Sequence, residues 1–186
     1  KVLVFVCVLL GFSACAPASQ KITSLPGVPG GVESLGFDMY SGYVNISSEH
    51  NTNFFYWFVE SQRDPANDPV LLWMNGGPGS SSLLGFFTEH GPFRVNEDGK
   101  TLSLYEYSWN KIANIIYLEA PIGVGFSYSD FKPEYITNDN KTADQNYQFL
   151  LNWFDLFPEF KQNDFYITGE SYGGHYVPAF GYKIHQ

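Results

Sequence analysis

Gly169-Glu170-Ser171-Tyr172-Gly173 sets a serine between two glycines, directly after the apolar run "DFYI". A serine at the junction of a buried strand and a helix is raised on a sharp bend, where its hydroxyl can attack a carbonyl carbon. The glycines admit the close backbone approach that such a bend needs, and the following helix N-terminus favours developing negative charge. Ser171 is therefore the candidate nucleophile. The tetrahedral oxyanion formed by its attack requires N–H donors. One is the amide of the next residue, Tyr172. The second is expected from a glycine-rich loop after an earlier strand, and "NGGPGS" (75–80) follows the apolar run "VLLWM". Glycine lets a backbone N–H face substrate with no side chain in the way, which makes Gly77 the candidate.

The elements that must hold these groups are legible from periodicity. "DMYSGYVNIS" and "NFFYWFVES" are aromatic and β-branched runs joined by turn material at Ser47–Thr52, and predict a hairpin. "DPVLLWMN" (68–75), "IANIIYLEA" (112–120) and "DFYITG" are short and continuously apolar, as strands buried on both faces are. Ser80–Ser82 can cap a helix whose apolar face is Leu83, Leu84, Phe86 and Phe87. Ala143, Tyr147, Leu150, Phe154 and Phe157 recur at steps of four and three, which predicts a helix over Thr142–Phe157 ended by Pro158. A last helix starts in "YGGHYVPAFGYKI". Hairpin, then strand–helix three times, predicts an α/β domain with a mostly parallel sheet flanked by helices on both faces.

Composition narrows the classes. With 44% hydrophobic and 18% aromatic residues in 186, disorder is excluded. A net charge of −9 without a basic cluster argues against a nucleic-acid partner. Lys1, the apolar run Val2–Phe12 and Ala16-Pro17-Ala18 read as a signal peptide over 1–18, cleaved after Ala18, with the domain at 19–186 and no membrane attachment afterwards. The run is too short to span a bilayer. Both cysteines, Cys7 and Cys15, fall in that leader, so the remainder can form no internal disulfide. Asn45-Ile46-Ser47 and Asn140-Lys141-Thr142 are glycosylation sequons, consistent with the secretory pathway. The start at lysine and the end within a helical pattern suggest part of a longer protein.

"WMNGGPGSSS", "PIGVGFSYSD" and "TGESYGGHYVP" resemble signature segments of the serine carboxypeptidase family, which includes cathepsin A-like enzymes; "FFTEHGPFRV" and "YSWNKIANIIYLEAP" extend the likeness over most of 33–186. The resemblance implies an α/β-hydrolase fold and removal of C-terminal residues from peptides at acid pH by a Ser-Asp-His triad. It implies no cofactor and no metal, peptide substrates, a lysosomal, vacuolar or extracellular location, and allows a homodimer of the complete protein. Ser171 matches the family nucleophile, and the N–H groups of Gly77 and Tyr172 its oxyanion hole. Asn75, Gly76, Glu89 and Glu170 match positions that bind the substrate's terminal carboxylate, and Trp73 and "GVGFSYS" match a wall near the site. Two glutamates facing a carboxylate repel it unless they share a proton, so this clamp should work in acid and weaken as pH rises. Two positions depart from the pattern: Ser80 stands where a cysteine is usual, and Ile122 where a small residue is usual.

In this family's fold the triad runs serine, acid, histidine along the chain. After Ser171 come fifteen residues with no Asp or Glu. His175 lies one helical turn on, and His185 about 21 Å along an ideal helix. His50 and His90 precede the serine and match no family base. The base and its acid are expected outside these 186 residues. The chain alone should then show no peptidase activity, resist organophosphonate labelling at Ser171, and fold poorly because its sheet ends in an unpaired apolar edge. An acyltransferase or esterase of the same architecture, and a non-catalytic protective scaffold, are the competing readings.

Overall fold

The computed structural model describes residues 16–186. The expected leader, with Cys7 and Cys15, lies outside the described residues apart from Ala16, Pro17 and Ala18. Ala16 packs against the core, and its N–H donates to Glu159 Oε1 at 2.6 Å.

The hairpin forms as expected. Strand β1 (Met39–Ser47) pairs antiparallel with β2 (Thr52–Val59), with a bulge between Asn45 and Ser47. Strands β3 (Val70–Met74), β6 (Asn114–Leu118) and β7 (Phe165–Gly169) complete a five-stranded sheet in the order β1-β2-β6-β3-β7. β6 is antiparallel to β2 and parallel to β3, and β3 is parallel to β7, so the sheet is mixed. β3 and β6 sit inside it, which is why their side chains on both faces are apolar.

Alternation along the central strands divides two cores. Val70, Leu72, Met74, Ile116 and Leu118 face helix α1 (Asp139–Leu156) and helix α2 (Gly173–His185), meeting Phe149, Trp153, Phe157, Tyr176 and Phe180. Trp73, Ile115, Tyr117 and Val59 face the other way and pack on Phe86, Phe93, Leu102 and Met39. α1 begins three residues earlier than the stripe suggests, because the Asn138 side chain caps it by accepting from Lys141 N–H at 3.0 Å.

Two expectations change. Both long helices lie on one face of the sheet. The segment expected as a helix after β3 is a single wide turn, Gly85–Glu89, followed by a hairpin of β4 (Phe93–Val95) and β5 (Leu102–Leu104) that cover the second face. The helix stops there because the chain folds back on itself: a Cβ on Gly91 would stand 1.9 Å from the Phe86 carbonyl oxygen. Leu84, expected on the apolar face, is exposed. β7 ends the described sheet, the apolar edge expected where these residues stop. Tyr166 is 54% exposed and, with Leu71, Trp109, Ile112 and Thr168, lines an open apolar cavity of about 850 Å³. No helix among the described residues is long and apolar enough to cross a membrane. Asn45 and Asn140 are both exposed, Asn45 on β1 and Asn140 in the first turn of α1.

Two titratable groups, the half-buried Glu60 and the buried His90, pull stability in opposite directions with pH. Burial, reinforced by Asp38, pushes the Glu60 carboxyl up to about 7. Its contribution is therefore full below the ordinary carboxylate value of 4.5 and is lost as pH rises to about 7. Burial, with Arg94 nearby, pushes His90 down to about 4, so its contribution is full above 6.5 and is lost as pH falls to about 4. Each slope is about 1.4 kcal/mol per pH unit, and the two cancel where the windows overlap. Glu60→Gln in the protein carrying this chain is expected to lose about 2 to 3 kcal/mol more than the parent between pH 6.5 and 4.5. Urea midpoints across that range check it, and parallel curves would refute the assignment.

Candidate active site

β7 ends at Gly169 and α2 starts at Gly173, so Glu170, Ser171 and Tyr172 make the whole bend. Ser171 has φ +55°, one of two non-glycine residues among those described in the left-handed region. That conformation costs on the order of 1–2 kcal/mol in an L-residue. The bend is tight enough that a Cβ on Gly169 would lie 2.7 Å, and one on Gly173 3.0 Å, from the Met74 carbonyl oxygen. The two glycines thus let helix and bend settle onto the end of β3.

The glycine loop after β3 lies against this bend. A Cβ on Gly76 would be 2.4 Å from the Tyr172 nitrogen and 3.0 Å from Ser171 Cβ. Gly77 has φ +109° and is followed by a cis bond to Pro78. Among the described residues neither the Gly77 nor the Tyr172 N–H donates a hydrogen bond, so both remain available to an oxyanion. The loop is pinned to α2, where Gly79 N–H donates to the Tyr176 hydroxyl at 3.3 Å, and closes on itself through Ser80 N–H to the Gly76 carbonyl at 3.0 Å.

Asn75 is 2% exposed and joins the two glutamates. Its Oδ1 accepts from Trp73 Nε1 at 2.8 Å and from Gly85 N–H at 3.0 Å, which fixes the amide orientation. Nδ2 then donates to Glu89 Oε1 at 2.9 Å and Glu170 Oε1 at 3.1 Å. Asn75, Glu89 and Glu170 therefore meet within one hydrogen-bond network, next to Gly76 and the bend. Trp73 is held edge-on by the His90 ring, which is stacked on Trp109 at 4.2 Å and bonded through Nδ1 to the Tyr117 hydroxyl at 3.1 Å.

Sequence reasoning read Ser81 and Ser82 as part of a helix cap and assigned no site role to Tyr176, His90 or Glu119. Ser82 Oγ accepts from Asn75 N–H at 3.2 Å, and Ser81 Oγ donates to Glu119 Oε1 at 2.6 Å. The run of three serines was the one visible signal, and it reads equally well as a cap. Ser80, at the position usual for cysteine, lies inside the glycine turn, its Oγ 2.8 Å from where a Cβ on Gly77 would be. Ile122 is buried in the core under the helices.

Among the described residues no histidine nitrogen bonds the Ser171 hydroxyl. His175 is exposed and stacks on Tyr172 at 4.6 Å, His185 is exposed near the end of α2, and His50 stacks on Phe131 beside Glu134. No group of three or more His, Cys, Asp or Glu among the described residues is arranged to hold a metal ion.

A serine at positive φ between a parallel strand and a helix, with the glycine loop after a neighbouring strand packed against its bend, is the arrangement of an α/β-hydrolase fold. The solved structure of a prohormone-processing carboxypeptidase from Saccharomyces cerevisiae superposes with a TM-score of 0.77 at 33% identity, covering 91% of this chain and 39% of that one. The serine carboxypeptidase family model matches residues 29–186, and the chain belongs to that family. Serine carboxypeptidase-like 20 of Arabidopsis thaliana is 50% identical over 192 residues, which is 99% of this chain and 38% of that protein. The lysosomal protective protein of Mus musculus is 52% identical over 171 residues, 92% of this chain and 35% of that protein. The chain spans less than half the length of each of these relatives.

Proposed function

We propose that the protein carrying this chain is a serine-type carboxypeptidase of the secretory pathway, acting on peptides in acid. Ser171 attacks the last peptide carbonyl, and the N–H groups of Gly77 and Tyr172 receive the oxyanion. The general base and its acid, a histidine and an aspartate, come from residues outside this sequence. The Gly76 N–H and Asn75 Nδ2, which exchanges one glutamate for substrate, bind the free terminal carboxylate between Glu89 and Glu170. The observation that carries this reading is the Asn75 amide, held by Trp73 and Gly85 so that it reaches both glutamates beside the strained serine. A network built this way selects a carboxylate at the chain end, which favours hydrolysis of free peptides over transfer to other acceptors. Glycans at Asn45 and Asn140, both exposed, fit the same compartment.

The test compares a peptide with a free C-terminus against its C-terminal amide. Asn75→Ala in the complete protein is expected to raise KM for the free peptide about 10- to 100-fold, the worth of one hydrogen bond to a charged group. The amide should be turned over poorly by parent and variant alike. Equal use of both substrates would refute the carboxylate clamp. The isolated 186-residue chain should label with an organophosphonate far more slowly than the complete protein, since no base stands by Ser171; equal rates would place the base within this chain.

A further inference from the structure

Glu119 is a wholly buried carboxylate with no part in the steps above. It follows β6, and its main chain is tied on both sides: its N–H donates to the Phe55 carbonyl at 3.1 Å, and its own carbonyl accepts from Ser127 Oγ at 2.6 Å. Its two carboxylate oxygens reach different loops. Oε1 accepts from Ser81 Oγ at 2.6 Å, in the serine run that closes the glycine turn. Oε2 accepts from Phe126 N–H at 3.3 Å, in the loop 121–127. That loop is moulded around the carboxylate. Gly125 has φ +52°, and a Cβ there would overlap Glu119 Oε2 at 1.1 Å. Val124 lies near the glycine loop, its Cγ2 4.0 Å from where a Cβ on Gly79 would be. The first loop carries Gly77; the second contains the stretch whose resemblance implies a wall near the site, and leaves the Phe126 ring 59% exposed.

We propose that Glu119 is a positioning residue that locks the glycine loop carrying the Gly77 N–H to the 121–127 loop, so that oxyanion donor and substrate wall hold one fixed spacing. The proposal rests on the carboxypeptidase reading of Ser171 and Gly77. A carboxylate suits the task because both of its oxygens only accept, while a hydroxyl and an amide N–H, which both donate, approach from opposite loops. Glu119 contacts neither nucleophile nor oxyanion donor and acts through Ser81 and Phe126.

The experiment uses the complete protein and compares Glu119→Asp, Glu119→Gln, Ser81→Ala and the Ser81→Ala/Glu119→Asp double variant. Aspartate is one methylene shorter and cannot span both loops. Glu119→Asp and Ser81→Ala are each expected to lower kcat about 10- to 100-fold, the range that a misplacement of about 1 Å produces, with KM changing less than about threefold. The double variant should be no worse than Glu119→Asp alone, since both break one link. Glu119→Gln should recover most of the rate, its carbonyl accepting from Phe126 N–H and its NH₂ donating to the Ser81 hydroxyl. Hydrogen exchange gives a readout that does not depend on turnover. The amides of residues 76–81 and 123–127 should exchange faster together in Glu119→Asp and Ser81→Ala. Absence of peptidase activity in the parent would overturn the reading of Ser171 while leaving this exchange result to judge the coupling. Unchanged kcat in folded variants, multiplicative losses in the double variant, or faster exchange in one loop only would overturn the proposal. If Glu119→Asp does not fold, Ser81→Ala alone decides between these outcomes.

Discussion

Replacing Ser171 by alanine in the protein carrying this chain is expected to lower kcat on a free peptide by about a million-fold, as loss of a serine nucleophile does elsewhere, and to leave stability almost unchanged. The companion variant Ser171→Gly should be equally inactive yet more stable by about 1 kcal/mol. The reason is the backbone. Ser171 is held at φ +55°, where any side chain with a Cβ is strained and glycine is not. Alanine keeps that strain and glycine removes it, so the difference between the two variants isolates the conformational cost of presenting the hydroxyl. Peptide turnover and urea unfolding of the three proteins are the measurements. Coincident midpoints for the alanine and glycine variants would show that the bend stores no strain, and appreciable turnover by either would show that Ser171 is not the nucleophile.

Gly76→Ala carries the second large effect, through packing and not through chemistry. The added methyl would stand 2.4 Å from the Tyr172 nitrogen, 2.8 Å from the Glu170 carbonyl oxygen and 3.0 Å from Ser171 Cβ. Two of these neighbours are main-chain atoms of the bend, which a change of rotamer cannot move. The loop must retreat, taking the Gly77 N–H away from the bend. Loss of one oxyanion donor costs about 10²- to 10³-fold in kcat, and overpacking of this kind costs about 1–3 kcal/mol of stability. Gly174→Ala is the control. It is exposed, a Cβ there meets nothing within 4 Å, and it lies in the first turn of α2. It should keep full activity. If Gly76→Ala keeps full kcat, the loop does not supply the oxyanion donor.

Legibility in the sequence followed the range of the interactions. The bend at Ser171 was readable because its causes are local: an apolar strand, two glycines that allow the turn, and a helix directly after. The hairpin of β1 and β2 and the stripe on α1 were readable for the same reason, since strand and helix periods are properties of consecutive residues. Asn75, Glu89 and Glu170 were named as a group through the family resemblance alone. Nothing in spacings of 14 and 95 residues tells that one amide reaches both carboxylates.

The sequence by itself determined the β1–β2 hairpin, the apolar strands and helix α1, and that a serine stands on the bend between β7 and α2; the turn at Gly85–Glu89 and the β4–β5 hairpin it did not. Only the tertiary structure decided that both long helices share one face, and that Asn75 and Glu119 each bind partners from two separate segments. The physical reason is that a local conformation is selected by sterics between neighbouring residues, which the sequence states directly. A buried polar side chain is instead satisfied by whichever donors the sheet register brings within about 3 Å, and register is a property of the assembled sheet.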